Sequence, residues 1–292
     1  MTTSRFLLAI VLCVTRSVIA QEYKIQMQRP AKEGQRFQLS CRLQETRRTS
    51  AALAGRTTPE RQTNLVAELD TLVEVLETNS KGRITKASCT ISNCVRVENQ
   101  NKRELLPREA VVLASLGNGQ SQFQVKGKSV DSDAKRILAE GMQLLDDTSK
   151  EEIFGTDKPK KVGESWDVNP EYFTSVLRTQ NLEIASPDIQ GRTTLEQVLK
   201  VEGVDCLELA SKVYLKKFIP PLPEEAQVQV KQAFGALRLS EKLPLDTSMN
   251  ALEETMEFDG TFIAQANAGP SARVTTKTIW TIKSALRRKY LK

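Results

Sequence analysis

The stretch Ser88–Cys94, SCTISNC, holds two thiols five residues apart, and thiols can bind metals, exchange electrons or form disulfides. The spacing lacks the CxxC pair of structural zinc motifs and thioredoxin-like redox sites, and no histidine is present to complete a zinc site. If residues 82–97 form one strand, the odd spacing places Cys89 and Cys94 on opposite faces, about 16 Å apart. A disulfide needs Cα atoms within about 7 Å, so these two can bond to each other only if the chain turns at Ser92-Asn93.

Most other catalytic chemistry is missing from the sequence. The absence of histidine removes Ser-His-Asp and Cys-His arrangements and the commonest general base near neutral pH. No GxGxxG or P-loop motif supports nucleotide binding. Paired carboxylates such as Glu224-Glu225 or Glu253-Glu254 remain, and glycosidase chemistry needs only two acids at a set distance. Adjacent acids are usually solvated, so we expect no catalytic residue, no metal site and no cofactor.

The first twenty residues resemble a secretory signal peptide. Arg5 precedes the apolar run 6–14, and small or apolar residues lead to Ala20, after which we expect cleavage. The run is about half the roughly 20 residues that a membrane-spanning helix needs. We therefore expect an exported protein, periplasmic or secreted, with no transmembrane segment after cleavage.

Export makes disulfides possible for the four cysteines that follow the signal peptide. Cys41, Cys89, Cys94 and Cys206 allow three full connectivities, and sequence cannot choose among them. Cys41 follows two apolar residues at period two, which places it in a core. Structural disulfides and free buried thiols both remain open, and in either case we expect the cysteines to be structural.

The positive charge of the chain is mild. Removing Arg5 and Arg16 with the signal peptide lowers the formal net charge from +6 to +4. The basic clusters at 47–48, 160–161 and 287–289 have no interleaved aromatic residues, which favours solvated surface over a nucleic-acid site. We expect no nucleic-acid partner, and the last cluster is the best candidate for contact with an acidic envelope polymer.

The dominant periodicity is two, which is typical of half-buried strands. Apolar residues alternate with polar ones through 254–266 and again through 274–282, on either side of a Gly-Pro turn, and this predicts a hairpin. A second hairpin, 194–201 with 204–216, would turn at Glu202-Gly203 and pair Leu199 with Cys206.

Further hairpins are predicted from the same pattern. They join 111–116 to 122–125, and 23–29 to 37–43. Residues 65–76 also fit helical spacing, but the stretch runs into an evident strand, so we favour a long hairpin there.

Two segments favour helices. An apolar stripe predicts a helix near 131–145, capped by the acidic start of that segment. Asn169-Pro170 is typical of a cap and first helical residue and predicts a helix near 170–178. A charged loop is expected between them, from Asp146 to Lys161.

Together these elements predict an α+β fold that is predominantly antiparallel β: a curved sheet or half-barrel lobes with a few packed helices. We expect an N-terminal β-rich lobe over 21–150, which includes the first helix. A C-terminal β-rich lobe over 151–292 begins with the second helix.

The segments Ile153–Gly155 and 160–167, the latter containing VGESW, resemble uncharacterised exported bacterial proteins. That resemblance implies no known activity and no catalytic residues. Gly163 allows the tight turn, and Trp166 would then anchor the sheet. A looser likeness, in architecture only, is to periplasmic lipoprotein carriers, which bind acyl chains on a curved antiparallel sheet with helices in its concave side.

Three functions follow as hypotheses. The first is a non-enzymatic exported envelope protein that binds an apolar ligand or a partner protein on its sheet. The second is a histidine-free hydrolase that uses carboxylates, which predicts two acids converging in a cleft with a raised pKa in one. The third is a structural or adhesive module without an internal void. Trp166 and Trp280 are expected in the core, with pocket lining as the alternative.

Overall fold

A computed structural model describes residues 21–53, 56–117, 120–144, 150–179, 182–220, 228–267 and 273–291. The predicted signal peptide, the Gly-Pro turn at 268–271 and the pair Glu224-Glu225 lie outside the described residues. Among those that are described, no helix has the length and apolar character needed to cross a membrane.

The described residues form one open, curved antiparallel sheet and three α-helices, as the α+β prediction requires. The strands are β1 (Arg36–Leu53), β2 (Arg56–Thr57), β3 (Arg61–Thr78), β4 (Ile84–Glu98), β5 (Asn101–Glu104), β6 (Val111–Gly117), β7 (Gln120–Val125), β8 (Lys128–Ser129), β9 (Ser165–Asp167), β10 (Ile189–Val201), β11 (Val204–Lys216), β12 (Val228–Pro244), β13 (Glu253–Asn267) and β14 (Arg273–Tyr290). The helices are α1 (Ser132–Met142), α2 (Lys150–Phe154) and α3 (Pro170–Thr179).

The strand order is β8-β7-β6-β4-β3-β1-β14-β13-β12-β11-β10-β9, with β2 beside β1 and β5 beside β4. The first half of the chain meanders outward from β1 to β8. The chain then passes through α1 and α2 to β9, at the opposite edge, and meanders back until β14 pairs with β1 over residues 37–53. The first and last long strands therefore join the two meanders in the middle of the sheet.

Four of the five predicted hairpins are confirmed: β6–β7, β10–β11, β13–β14 and the long hairpin over the ambiguous segment, which is β3 and β4. In the β10–β11 hairpin Leu199 lies opposite Cys206, as expected. Its two turn residues, Glu202 and Gly203, have φ of 48° and 85°, the left-handed values that a tight two-residue hairpin turn requires.

Both predicted helices are confirmed. In α1 the Asp131 side chain accepts a hydrogen bond from the backbone N–H of Ala134, and in α3 the Asn169 side chain accepts from two backbone N–H groups of the first turn. Gly141 brings α1 close to the sheet, because a Cβ there would lie 3.1 Å from Leu69 of β3.

Two expectations are wrong. Residues 23–29 do not pair with 37–43, because β3 and β14 already occupy both edges of β1; instead Tyr23 forms an isolated bridge with Lys160. The predicted charged loop 146–161 contains α2, whose Ile153 and Phe154 are buried against the second half of the sheet.

The helices and the N-terminal segment lie on one side of the sheet, here called the covered face. Two hydrophobic clusters form there: one between α1 and strands β1 to β7, the other between α2, α3 and strands β9 to β13. The N-terminal segment crosses between them, since Ile25 and Met27 belong to the second cluster and Ala31 to the first. The division into two lobes stays a prediction.

Candidate functional site

Strand register places two buried carboxylates side by side on the covered face. Glu241 of β12 is paired with Glu254 of β13. The same lateral row continues with apolar neighbours, Leu209 on one side and Leu286 on the other. Glu241 is 2% exposed and Glu254 is 7% exposed. Buried charges at such positions need partners, because burying an isolated carboxylate is strongly unfavourable.

Those partners come from α2 and β14. Lys150, the first residue of α2, donates to Glu241 Oε1 at 2.5 Å and also hydrogen-bonds Glu254 Oε2. Arg288 Nη1 donates to Glu254 Oε1 at 2.5 Å, and Gln143 donates to the same carboxylate at 3.4 Å. Lys150 is thus the bridge between the two acids, whereas Glu254 has additional donors.

Because Glu254 has more hydrogen-bond donors than Glu241, the pKa values of the two acids differ. Burial acts to raise the pKa of Glu254, but Lys150 and Arg288 outweigh burial and lower that pKa to about 2. For Glu241 burial prevails over the attraction of Lys150, and its pKa is raised. The two carboxyls therefore differ in their affinity for a proton although they are neighbours.

A cavity of about 160 Å³ adjoins this pair and lies between the two hydrophobic clusters. Apolar side chains of both clusters line it, among them Phe37 and Met142 of the first and Met27 and Leu243 of the second. Its polar lining includes the carboxylate pair with its cationic partners. The buried carboxylate pair in its wall, rather than its volume, marks this cavity as the candidate site.

Arg29 also lines the cavity and is 6% exposed. Its Nη2 donates to the backbone oxygen of Pro244 at 3.0 Å. Within the described residues its Nε and Nη1 have no hydrogen-bond partner, and Oε2 of Glu241 also has none. Because buried polar atoms are nearly always paired, these three atoms distinguish the cavity from ordinary core.

The sequence analysis did not identify Lys150, Glu241 or Arg29. A signal for Glu241 was present: it lies in phase with Leu239 and Leu243, so an acid occupies an apolar position of a period-two run. No local pattern indicated which cation would meet it, because Lys150 is 91 residues away in the chain.

The predicted structural cysteines are buried and free in the structure. Cys41 and Cys94 both lie opposite Leu69, on the two strands that flank β3. Two strand spacings separate them by about 9.6 Å, more than the roughly 7 Å that a disulfide allows. Cys206, on β11, lies four strands from β1.

The expected separation of Cys89 and Cys94 onto opposite faces is wrong. The β3–β4 register shifts between the pairs Asp70–Asn93 and Thr71–Ile91, so one extra residue, Ser92, is inserted in β4. A bulge of this kind changes the alternation, and both thiols lie in the first cluster. Burial raises the pKa of each to about 12.

Gly163 and Trp166 form the turn and anchor that the resemblance implied. Gly163 has φ of 87°, and its N–H donates to Leu195 of β10. Trp166 is buried in the second cluster, where its indole N–H donates to the backbone oxygen of Phe154 at 2.7 Å. These residues therefore attach β9 and α2 to the sheet rather than line the cavity.

Trp280 packs edge-on against Phe258 on the covered face, with ring centroids 5.8 Å apart. Its indole N–H donates to Glu45 at 2.9 Å, and Arg136 of α1 binds the other oxygen of that carboxylate at 2.6 Å. Burial acts to raise the pKa of Glu45, but Arg136 and the indole bond prevail and lower it. This cluster connects α1 to the sheet and is separate from the cavity.

Neither a protein-family model nor a curated protein sequence matches the chain. Among solved structures, one of lipovitellin, whose title concerns lipid–protein interactions, is similar with a TM-score of 0.40 and 8% sequence identity. The match covers 88% of this chain and 25% of the lipovitellin chain.

Proposed function

We propose that this protein is a non-enzymatic binding protein that holds a small apolar ligand, or the apolar end of a larger one, in the cavity between its helices and its sheet. The observation that supports the proposal is a cavity of about 160 Å³ that is lined by side chains of both hydrophobic clusters. An engineered apolar cavity of about 150 Å³ is large enough to bind benzene. The cavity therefore has room for about six non-hydrogen atoms.

Export is part of the same proposal. It depends on the signal-like pattern of residues 1–20, and an apolar ligand needs a carrier once it leaves a membrane for water. Intact mass and N-terminal sequencing of protein recovered from its own cell test it: a chain that begins at Gln21 supports export, and an unprocessed N-terminus contradicts it.

Ligand binding is tested by native mass spectrometry and by solvent extraction of the purified protein. We expect an apolar small molecule to co-purify with the wild type. Ala251→Leu extends a side chain that lines the cavity, so this variant should retain at least tenfold less ligand. Ala285→Leu is the matched control, because Ala285 is exposed and does not line the cavity. A ligand-free wild type, or equal loss in both variants, contradicts the proposal.

A hydrolase that uses carboxylates is the second candidate, because Glu241 and Glu254 meet beside a cavity with pKa values displaced in opposite directions. Their arrangement favours it less than binding. In glycosidases the two acids flank the bond to be cleaved, whereas here they are cross-strand neighbours bridged by one ammonium, Lys150.

The hydrolase candidate is tested with a panel of chromogenic glycosides and esters. Activity that is present in the wild type and lost in Glu241→Gln, but kept in Glu208→Gln, would establish it. Glu208 is the control because it lies on a neighbouring strand and its side chain bonds Gln197 at an exposed position. We expect no turnover in any of the three proteins.

A further inference from the structure

The cavity contains an arginine whose hydrogen-bonding capacity is largely unused. Arg29 is 6% exposed, and Nε and Nη1 of its guanidinium have no partner within the described residues. We infer that Arg29 holds the oxyanion head of an amphipathic ligand, a carboxylate or a phosphate ester, whose short apolar chain occupies the cavity. This inference depends on the proposed binding function and specifies its ligand class.

The geometry of the guanidinium supports an oxyanion. Its five N–H donors form two edges, and each edge includes one of the two N–H groups of Nη2. Nη2 of Arg29 donates to Pro244 O, which uses one edge. The other edge keeps two parallel donors, which is the arrangement that binds two oxygens of a carboxylate or phosphate.

Among the described residues, no carboxylate hydrogen-bonds Arg29. Glu151 Oε2 accepts from the backbone N–H groups of Met27, at 2.5 Å, and Gln28, at 3.0 Å. Asp246 Oδ1 accepts from the backbone N–H of Ser248 at 2.9 Å, and Glu241 binds Lys150 through Oε1. Burial accordingly dominates over all nearby acids and lowers the pKa of Arg29, as expected for a buried cation without a direct counter-ion.

The charge of the cavity wall also favours an anion. Among the described residues, four cationic side chains line it, and the two carboxylates Glu241 and Glu254 oppose them. An excess of two positive charges in a site of low dielectric attracts a single negative group. The wall is otherwise largely apolar, so a bare inorganic anion would leave most of the void unfilled.

The size of the void sets the chain length to be tested. About six non-hydrogen atoms fit, which corresponds to a chain of six carbons. The probes are hexanoate and hexyl phosphate, the neutral 1-hexanol with the same chain, and acetate and inorganic phosphate as heads without a chain. Binding is measured by calorimetry and by chemical-shift changes in the full mature chain.

We expect the wild type to bind hexanoate or hexyl phosphate at least tenfold more tightly than 1-hexanol. Arg29→Met should weaken binding of the preferred anion by about ten- to a hundredfold, because it removes charged hydrogen bonds, and leave 1-hexanol unchanged. Arg29→Lys, which keeps the charge but not the two-donor edge, should be intermediate. Arg287→Met is the matched control, because that side chain is 77% exposed.

Arg29→Met should fold, because it replaces a buried cation, whose Nε and Nη1 have no partner among the described residues, with an apolar side chain of similar length. We expect its urea midpoint to equal or exceed that of the ligand-free wild type. If this variant does not fold, Arg29→Lys alone decides the inference: weaker anion binding than in the wild type, with 1-hexanol unchanged, supports it, and unchanged anion binding refutes it.

Several results would overturn the inference and are distinguishable from one another. Equal affinity for 1-hexanol and the anions, with no effect of Arg29→Met, refutes the oxyanion site but leaves the binding function intact. Acetate or inorganic phosphate binding as tightly as hexanoate or hexyl phosphate refutes the apolar chain. No binding of any probe, combined with ligand-free native protein, refutes the proposed function itself.

Discussion

Replacing Lys150 with methionine should reveal how strongly the buried carboxylates depend on their bridging ammonium. The side chain of Lys150 is 34% exposed, whereas those of Glu241 and Glu254 are 2% and 8% exposed. Methionine keeps the length of the side chain and removes its charge. Glu254 keeps Arg288, but Glu241 loses the one hydrogen-bond donor that the described residues offer it.

The magnitude follows from the fate of Glu241. Removing one partner of a buried ion pair costs about 3–5 kcal/mol. Glu241 can limit that cost by taking up a proton. For a glutamate with an unfolded pKa near 4.3, protonation at pH 7 costs about 3.7 kcal/mol, and this value is the upper limit of the destabilisation. At pH 5 the same limit is about 1 kcal/mol. We therefore expect Lys150→Met to lower the free energy of unfolding by about 3 kcal/mol at pH 7 and by about 1 kcal/mol at pH 5.

Urea denaturation between pH 5 and pH 7 measures this difference directly. Lys161→Met is the control, because its salt bridge to Glu22 is exposed and should contribute less than about 1 kcal/mol. The double variant Lys150→Met with Glu241→Gln should recover about 2 kcal/mol at pH 7, since it leaves no unpaired charge at Glu241. A loss below about 1 kcal/mol at pH 7, or a loss that does not change with pH, would refute the dependence of Glu241 on Lys150.

Three further predictions concern acid stability, thiol reactivity and one close contact. The pKa of Glu254 is lowered to about 2, so its ionised carboxylate should stabilise the fold by about 3 kcal/mol above pH ~4.3, and this stabilisation should disappear as the pH falls towards 2. In acid titrations followed by circular dichroism, Glu254→Gln should lack this component. An acid-unfolding profile that is unchanged in the variant would contradict the prediction. Burial raises the pKa of the Cys41, Cys89 and Cys94 thiols to about 12. A thiolate-specific reagent at pH 8 should therefore label them only after the protein unfolds. Rapid labelling of the native protein would refute their burial. Gly82→Ala should lower the free energy of unfolding by more than about 2 kcal/mol, because φ is +72° and a Cβ would lie 2.4 Å from Pro30 Cβ. Gly34→Ala is the control: φ is +77° but no atom beyond the adjacent residues lies within 4 Å of the added Cβ, so the loss should be about 1 kcal/mol. Equal urea midpoints for the two variants would show that the contact with Pro30 is unimportant.

The accuracy of the sequence analysis depended on how local each interaction is. The register beside the β10–β11 turn was predicted to the residue, because a two-residue turn and period-two alternation specify the register between adjacent segments. The segment 23–29 has the same alternation, yet both edges of its predicted partner β1 are occupied by β3 and β14. Alternation shows that a segment buries one face, but it does not show against which element.

The cysteines illustrate a second limit. The spacing of Cys89 and Cys94 predicts opposite faces only in a regular strand, and the inserted residue Ser92 places both in the same cluster. A bulge follows from how β4 aligns with β3, so its position is not visible in the residues between the two thiols.

The sequence by itself determined the hairpins, the two capped helices and the alternation that makes one face of the sheet apolar, because each depends on residues close together in the chain. Only the tertiary structure decided that β1 pairs with β14, that Glu241 and Glu254 share Lys150, and that Arg29 lies in a cavity where no described residue forms an ion pair with it. These contacts join residues 91 or more positions apart. Their formation depends on which buried charges and strand edges remain unsatisfied once the local elements have packed, and local sequence patterns do not specify that.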